Sequence, residues 1–528
     1  MPDLRSESAT PPLEHASEQS QNHTEVFAVH GADPEVLAYA MARYSRSALS
    51  MKESLKEISS QRAEQFLNTF YFQYGHRSIA DLAHIAFAIE RLSLLAAIVL
   101  VDEQRWDGQE RSTRYQNFRK SGWYLPDFGE DSASMGTYRG SIESSFAAYH
   151  QVADGILDVL RQQVPCPPEM KPETYTRTLR ARAFDVARYL LPLATNTSLG
   201  QIVNARTLEN QICRLLSHPT PEVQLLGERL REAAADPAWS VNRGALAAFH
   251  DRIVAADPEL VEESRELLLH ETRPAPTLVK YAAPSFYLSE TRSDLRQAAS
   301  EIMGSTPIAD APLVDLVEKT ESLEAEIAAT LLYTSSHYPY RQLRDVVASL
   351  GEARCLEIVA LGTRNRGRHD ELLREFSAGQ SLRFDILMDI GGFRDMHRHR
   401  RCTQILQEFT SLHGYAEPEG LTEALMPVYQ QALNSAHALY AELAASSVKE
   451  TAAAAPYVLP LGTRTRALFK MDFAEALYIS ELRSAPQGHM SYRRVAWEMY
   501  LAVQRQHPAL AEYFRVTDPN SPVDILKR

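Results

Sequence analysis

Cysteine is scarce and scattered in this chain of 528 residues. The four cysteines, Cys166, Cys213, Cys355 and Cys402, include no CxxC pair. This spacing gives no support for a disulfide framework or a thiolate zinc site, and it is typical of proteins in a reducing compartment. We therefore expect a cytoplasmic protein without disulfide bonds.

Long hydrophobic runs are also missing. The most apolar run, LSLLAAIVLV at residues 92–101, is too short to span a bilayer, so it predicts a buried helix or strand and no membrane segment. Residues 1–25 are mostly polar and contain no apolar signal core. They predict a disordered tail rather than a secretory signal.

Basic residues are in deficit, with 55 Lys and Arg against 68 Asp and Glu and a formal net charge of −13. This balance argues against general nucleic-acid binding. The stretch RDMHRHRRCT at residues 394–403 departs from it, with arginine dominant and lysine absent. Guanidinium groups make bidentate contacts with phosphates and carboxylates, so a half-buried cluster of this kind predicts an anion nearby. The alternatives are a solvated basic helix face and, more remotely, an RNA-binding segment.

A metal site is a poor interpretation of the same stretch. His397 and His399 form an HxH pair, whose rings point to different faces on a helix. No acidic or cysteine ligand has suitable spacing nearby. We therefore predict no metal.

The second half of the chain echoes the first. YLLPLATNT at residues 189–197 returns as YVLPLGTRT at residues 457–465. Upstream of each, an apolar strand-like run (residues 84–90 and 383–390) leads into a helix-like segment. Helices are also predicted over residues 34–48, 53–72, 222–234 and 258–270. Two related modules in tandem are the simplest account.

Several short motifs recur in a fixed order. The first half contains GHRSIAD (75–81), QERSTRY (109–115), ARYLLP (187–192), NAR (204–206) and Arg214; the second contains RHR (398–400), QEFT (407–410), YVLPLGT (457–463) and Arg483. In GHRSIAD, Ser78 is a possible helix N-cap. In this order the motifs resemble the flavin-dependent thymidylate synthases, whose pattern is RHRxxSxNxxSxRY with a GHxSxxEH-like segment before it and ARxxLP, NxR and a further arginine after it.

Each half departs from the family pattern at different places. The first half has Asp102-Glu103-Gln104 where RHR is expected, and the second has Ser-Leu-His after QEFT and Pro456 in place of Arg188. The resemblance therefore implies one mixed site. The first half would contribute Glu110, Ser112, Arg114 and Arg188, and the second Arg398, His399, Arg400 and Arg483. The reciprocal site would repel phosphate and be inactive.

The resemblance implies conversion of dUMP to dTMP, with methylenetetrahydrofolate as carbon donor and NADPH-reduced FAD as reductant. The implied catalytic residues are Ser112, Arg114 and Arg483. The implied substrate-binding residues are Glu110, Ser112, Arg114, Arg188, Arg214 and Arg483. The implied cofactor-binding residues are His76, Ser78, Asp81, Asn204, Arg206, Asn210, Arg398, His399 and Arg400.

The family also implies an α+β fold of two tandem modules, each with a central, mostly antiparallel sheet and packed helices. We place the modules at residues 26–300 and 310–528, after the tail at 1–25. A homodimer would then mimic the family tetramer. Two alternatives remain open: C5 modification of another pyrimidine nucleotide, and a non-catalytic flavin- or nucleotide-binding homologue.

Overall fold

The computed structural model describes residues 31–43, 77–118, 121–318, 322–367, 370 and 372–526. Helices and short antiparallel strands alternate, which confirms the predicted α+β class. The strands are β1 His84–Ser93, β2 Asp107–Glu110, β3 Asn196–Asn204, β4 Val314–Leu316, β5 Leu382–Asp389, β6 Thr403–Leu406 and β7 Arg464–Met471. The helices are α1 Pro34–Arg43, α2 Leu94–Leu100, α3 Ser132–Gln163, α4 Pro172–Ala187, α5 Ala205–Leu216, α6 Pro221–Ala235, α7 Arg243–Ala256, α8 Val261–Leu268, α9 Phe286–Met303, α10 Leu323–Tyr333, α11 Tyr340–Ser349, α12 Glu352–Arg364, α13 Ile390–Met396, α14 Met426–Ala444, α15 Lys449–Ala454, α16 Phe473–Ser484, α17 Met490–Gln506 and α18 Pro508–Ala511.

The two sheets share one arrangement. Their strand orders are β1-β3-β2 and β4-β5-β7-β6, so β3 and β7 hold the same central place. Asp107 pairs with Ile202 in the first sheet, and Thr403 pairs with Lys470 in the second. The β2–β3 and β6–β7 pairings therefore correspond, since Ile202 and Lys470 lie equally far after Leu193 and Leu461 of the repeated segments, and this correspondence supports two related modules.

A short helix follows β1 in the first module (α2) and β5 in the second (α13), and each begins at a capping side chain. The Ser93 hydroxyl accepts from Ala96 N at 2.9 Å. The Asp389 carboxylate accepts from Gly392 N at 2.6 Å. Both caps satisfy a free N–H of the first turn. The helices α2 and α13 end just before the DEQ and RHR triplets, which therefore occupy equivalent positions.

The strand register corrects one detail of the motif comparison. Arg111 N donates to Ser198 O at 2.9 Å, and Gln407 N donates to Arg466 O at 3.1 Å in the matching place of the second module. Gln407 therefore corresponds to Arg111 rather than to Gln109, so the match of QEFT with QERS in the motif comparison is offset by two residues. By this register Thr410, a neutral residue, stands at the position of Arg114.

The repeated Leu-Pro segments form the junction between the modules. Leu193 N donates to Leu459 O, and Leu461 N donates to Leu191 O, both at 2.9 Å. Pro192 faces Pro460 in an antiparallel bridge. These reciprocal bonds indicate a local two-fold arrangement within one chain. The largest hydrophobic core contains residues of both modules.

Other predicted elements differ in extent. The helix predicted at 34–48 is described as α1, and the one predicted at 53–72 lies outside the described residues. The segment 258–270 is a short 3-10 helix followed by α8. Residues 92–101 are mostly the buried helix α2. Helix α9 packs in a core with residues of the second module, while the boundaries at 300 and 310 stay predictions.

Gly462 provides a test of the junction. A methyl group there would lie 2.7 Å from the Tyr429 hydroxyl and 3.1 Å from the Tyr189 carbonyl oxygen. Gly462→Ala is therefore expected to lower the free energy of unfolding by about 1–3 kcal/mol through overpacking. Urea denaturation of the natural protein and the variant measures this loss of free energy of unfolding. The matched residue Ala194 already carries a methyl, so Ala194→Gly should cost about 1 kcal/mol or less; equal losses would contradict this account.

Within the described ranges, no helix combines the length and apolar character needed to cross a membrane. The longest helix, α3, has 32 residues but a mixed surface of charged and apolar side chains.

Candidate functional site

Arg114 is the best-anchored of the predicted site residues. It follows β2 in a turn where its own N–H donates to the Ser112 hydroxyl at 3.2 Å. Its guanidinium donates to both carboxylate oxygens of Asp185, at 2.7 and 3.3 Å, and to the Tyr492 hydroxyl at 2.8 Å. The residue is 8% exposed. Burial alone would lower the pKa of Arg114, but the Asp185 charge outweighs it and the pKa is raised. Tyr492 belongs to the second module, so the contact joins the two halves.

Arg188 lies at the end of α4, almost completely buried at 1% exposure. Its Nη1 is 3.4 Å from Oδ2 of Asp395, in the second module. Its Nε and Nη2 atoms have no hydrogen-bond partner among the described residues. A buried guanidinium with unused donors is costly, and an incoming anion would satisfy it.

Asp395 of the second module is close enough to predicted arginines of both modules to be influenced by their charges. Burial works to raise the pKa of Asp395, but Arg188, Arg398, Arg114 and Arg483 lower it below the ordinary value. The guanidinium groups of Arg114 and Arg483 also lie over the same Tyr492 ring, 5.8 and 5.4 Å from its centroid. We call these four arginines the arginine cluster.

His399 supports Arg483 in a neutral state. Arg483 Nε donates to His399 Nε2 at 2.7 Å. Burial, with Arg483 and Arg400 nearby, lowers the pKa of His399 to about 3. The ring therefore accepts a hydrogen bond through Nε2 at neutral pH, and its Nδ1 lies 3.7 Å from Glu475.

The RHR triplet lines an open pocket beside the arginine cluster. The pocket has a volume of about 520 Å³. Burial lowers the pKa of Arg400 to about 10, and Arg400 lies over the Trp106 ring of the first module, 5.2 Å from the centroid. Its Nη2 has no hydrogen-bond partner within the described part of the chain. The pocket lining consists of Arg398, His399, Arg400, Arg401, Glu475, Tyr478, Leu482 and Arg483.

Glu110 also joins the two modules. Its carboxylate forms an ion pair with Arg394, and both side chains are about one-tenth exposed. The Thr197 hydroxyl donates to the same carboxylate at 3.4 Å. Glu110, on β2 of the first sheet, is therefore paired with α13 of the second module, where Arg394 lies four residues before RHR.

The two carboxylates of the DEQ triplet, Asp102 and Glu103, are paired with arginines of the protein. Arg374 of the second module forms an ion pair with Asp102. Burial would raise the pKa of Asp102, but Arg374, His397 and Arg214 lower it. Arg214 donates to Glu103 at 2.9 and 2.7 Å and to the Val99 carbonyl at 2.9 Å.

Arg214 and Arg483 are therefore not equivalent, although the sequence had matched them. Asn204 and Asp472 cap α5 and α16 at matched positions. Arg214 is ten residues after its cap, whereas Arg483 is eleven after its own. One residue turns a helix by about 100°, so the two side chains leave their helices in different directions. The structure places Arg214 against Glu103 and Arg483 in the arginine cluster.

The residues predicted to contact the flavin from the first module are partly brought together. Asp81 lies 3.5 Å from Arg206. Asn204 caps α5 by accepting from Thr207 N at 2.8 Å, and Asn210 is half-buried one turn further on. Ser78 is exposed inside a 3-10 helix, Arg77–Leu82, rather than at an N-cap. His76 lies outside the described residues.

Several residues of the site escaped sequence reasoning. Asp185 and Asp395 are the counter-ions of the arginine cluster, and His489 donates through Nε2 to the Asp185 carbonyl at 3.0 Å. Burial lowers the pKa of His489 to about 4. Tyr492 carries two guanidinium contacts. The signal available was Asp395 inside RDMHRHRRCT, the acidic residue within the basic stretch. In the described part of the chain, no group of three His, Cys, Asp or Glu could hold a metal ion.

Comparisons with known proteins agree with the repeated architecture. Residues 27–238 and 315–509 both match the family model described as thymidylate synthase complementing protein. A UPF0159 protein of Chlamydia muridarum is 28% identical over 92% of this chain and 90% of its own length. A UPF0159 protein of Thermoplasma acidophilum is 24% identical, over 90% of this chain and 94% of its own length.

Shorter relatives match one part of the chain. A flavin-dependent thymidylate synthase of Clostridium tetani is 26% identical over 34% of this chain and 68% of its own length. The crystal structure of a flavin-dependent thymidylate synthase of Helicobacter pylori, complexed with FAD and dUMP, is 17% identical, with a TM-score of 0.26 over 38% of this chain and 89% of its own. The two family matches cover most of the sequence, so the chain belongs to the flavin-dependent thymidylate synthase family, with the family unit present twice.

Proposed function

We propose that this protein is a flavin-dependent thymidylate synthase with one mixed site per chain, which converts dUMP to dTMP. The observation that carries the proposal is the convergence of Arg114 and Arg188 from the first module with Arg398 and Arg483 from the second around Asp395. The motifs missing from each half are present in the other, and Arg114 and Arg188 of the first module contact Tyr492 and Asp395 of the second. A phosphate dianion is the ligand that such a group of guanidiniums favours.

The charge of the site supports a nucleotide phosphate. Asp185 neutralises Arg114, and Asp395 lies against Arg188. Even when nearby Asp389 is counted, which hydrogen-bonds to the Tyr189 and Ser491 hydroxyls, the four arginines outnumber the carboxylates. The unused donors of Arg188 would complete the phosphate contacts. Ser112 and Glu110 would orient the nucleotide from the β2 side.

The pocket at RHR suits the flavin. Arg398 and Arg400 would hold the FAD pyrophosphate, and Tyr478 would pack beside it. Asp81, Asn204, Arg206 and Asn210 would contact FAD from the first module, with His76 and Ser78. The bound FAD supplies the reducing equivalents for the reaction. NADPH as the source of those equivalents, methylenetetrahydrofolate as the carbon donor and a homodimeric assembly complete the proposal by family membership.

Release of the C5 hydrogen of dUMP tests this function. The purified protein, supplied with FAD, NADPH and methylenetetrahydrofolate, is expected to release tritium from 5-tritiated dUMP. It should also retain FAD, seen as flavin absorbance after gel filtration. Failure to bind FAD would overturn both the flavin site and the reaction. FAD binding without tritium release would overturn the dUMP reaction alone.

One observation favours a second candidate, a non-catalytic flavin- or nucleotide-binding homologue. Two carboxylates, Asp185 and Asp395, already lie against arginines that would bind a phosphate. A protein that had lost its substrate would keep such internal ion pairs for stability. Binding of FAD and dUMP without C5 hydrogen release would support this second candidate.

A further inference from the structure

The two carboxylates at the arginine cluster are held in different ways. Asp185 receives two hydrogen bonds from Arg114, the shorter at 2.7 Å. Asp395 makes one ion pair with Arg188, at the long distance of 3.4 Å. The Asp395 side chain is 16% exposed, against 1% for Arg188. Asp185 is therefore a fixed counter-ion, whereas Asp395 is held to Arg188 by one long contact and is partly exposed to solvent.

The unused donors of Arg188 lie beside this loose contact. Nε and Nη2 of Arg188 are buried without a hydrogen-bond partner in the described ranges. A carboxylate with one long contact satisfies only a small part of what this guanidinium can offer. A phosphate has more acceptor oxygens and more charge, so it would satisfy Arg188 better.

We propose that Asp395 is a built-in competitor of the substrate phosphate and thereby sets how strongly a phosphorylated nucleotide binds. In the protein without nucleotide, its carboxylate lies against Arg188 and keeps the arginine cluster together. When a phosphorylated nucleotide binds, its phosphate replaces the carboxylate at Arg188. The proposal rests on the proposed function for the identity of the nucleotide, but the competition itself requires only a phosphate group.

Two consequences follow from the competition. The fixed negative charge of Asp395 repels the phosphate at short range, where the effective dielectric constant is low, so it weakens phosphate binding. It also stabilises the unliganded protein, because without it Arg188 would be a buried cation with even fewer partners. Removing the charge should therefore strengthen phosphate binding and make stability depend more on phosphate.

Asp395→Asn in the full chain tests these consequences. Its affinity for dUMP, measured by calorimetry, is expected to rise about tenfold or more relative to the natural protein. Its affinity for deoxyuridine, which has no phosphate, should stay unchanged. Asp158→Asn removes one negative charge from an exposed helix surface and serves as the matched control; it should change neither affinity. If the natural protein binds dUMP, unchanged or weaker dUMP binding by Asp395→Asn would overturn the proposal.

Inorganic phosphate separates this proposal from the proposed function. The rise in Tm with added phosphate is expected to be larger for Asp395→Asn than for the natural protein, since ligand binding to the folded state alone stabilises it. Asp395→Ser provides a second variant should the amide fold poorly. If dUMP binds neither protein but phosphate protects Asp395→Asn more, the competitor holds and the nucleotide assignment is wrong. Equal protection by phosphate in all three proteins would overturn the competitor.

Discussion

Arg114→Ala and Arg398→Ala are each expected to lower kcat/KM for C5 hydrogen release by about a hundredfold or more, while Gln104→Ala leaves it unchanged. Arg114 and Arg398 come from different modules but belong to one arginine cluster. Loss of Arg114 would weaken the contacts with the nucleotide phosphate, and loss of Arg398 would weaken those with the flavin pyrophosphate; small misplacements of either reactant cost this much. Gln104 lies at the position matched to Arg400, in the triplet that faces Arg214 and Arg374, so it is the natural control.

Arg114→Ala and Arg398→Ala are expected to differ in their effect on the stability of the fold. Arg114 is buried against Asp185, so its loss leaves a buried carboxylate unpaired and should also reduce stability. Arg398 is exposed, and its loss should reduce activity without a comparable loss of stability. Denaturation curves recorded beside the activity assay separate the two effects. An equal loss of activity in Arg114→Ala, Arg398→Ala and Gln104→Ala would contradict the mixed site.

The largest expected effect on stability is at Asp385, in the core of the second sheet. Its carboxylate is fully buried and accepts from Arg466 at 2.8 Å, from the Tyr333 hydroxyl at 2.7 Å and from Tyr340 N at 2.8 Å. Asp385→Ala would leave Arg466, itself 3% exposed, as a buried unpaired cation. We expect the free energy of unfolding to fall by about 3–5 kcal/mol.

The first module supplies the control for this prediction. In the matched register, Asp385 pairs with Leu468 as Ala88 pairs with Gly200, and Ser198 stands where Arg466 stands. The double variant Asp385→Ala/Arg466→Ser therefore copies the neutral pair of the first sheet. It should recover much of the stability lost in the single variant, because the unpaired charge is gone. Urea denaturation measures both, and a double variant as unstable as the single one would show that the ion pair is not the cause.

Much of the architecture could be predicted because its signals are local. Apolar strand-like runs predicted β1 and β5 closely, and the repeated Leu-Pro segments predicted two related modules. The complementary losses at 102–104 and after QEFT indicated that residues of both halves would meet. Each of these inferences needs only short stretches of sequence and their order.

The parts that escaped prediction depend on three-dimensional neighbours. Asp185 is 71 residues from Arg114, and Asp395 is 207 residues from Arg188, so no local pattern marks these carboxylates as counter-ions. The difference between Arg214 and Arg483 arises from a single helical step, and the sequence alone does not show which side chain each arginine then meets. The two-residue offset of QEFT became visible only through the pairing of β6 with β7.

The reciprocal bonds around Pro192 and Pro460 have a consequence for how such a protein evolves and behaves on dilution. In a dimer of identical chains every contact occurs twice, so a residue that improves one site must be tolerated in its copy. Fusion removes that constraint, and the Arg394–Glu110 pair needs no mirror image. It also fixes the local concentration of each half for the other, so the paired core cannot dissociate when the protein is scarce. Changes at one interface between the modules can then accumulate independently of changes at the matching interface.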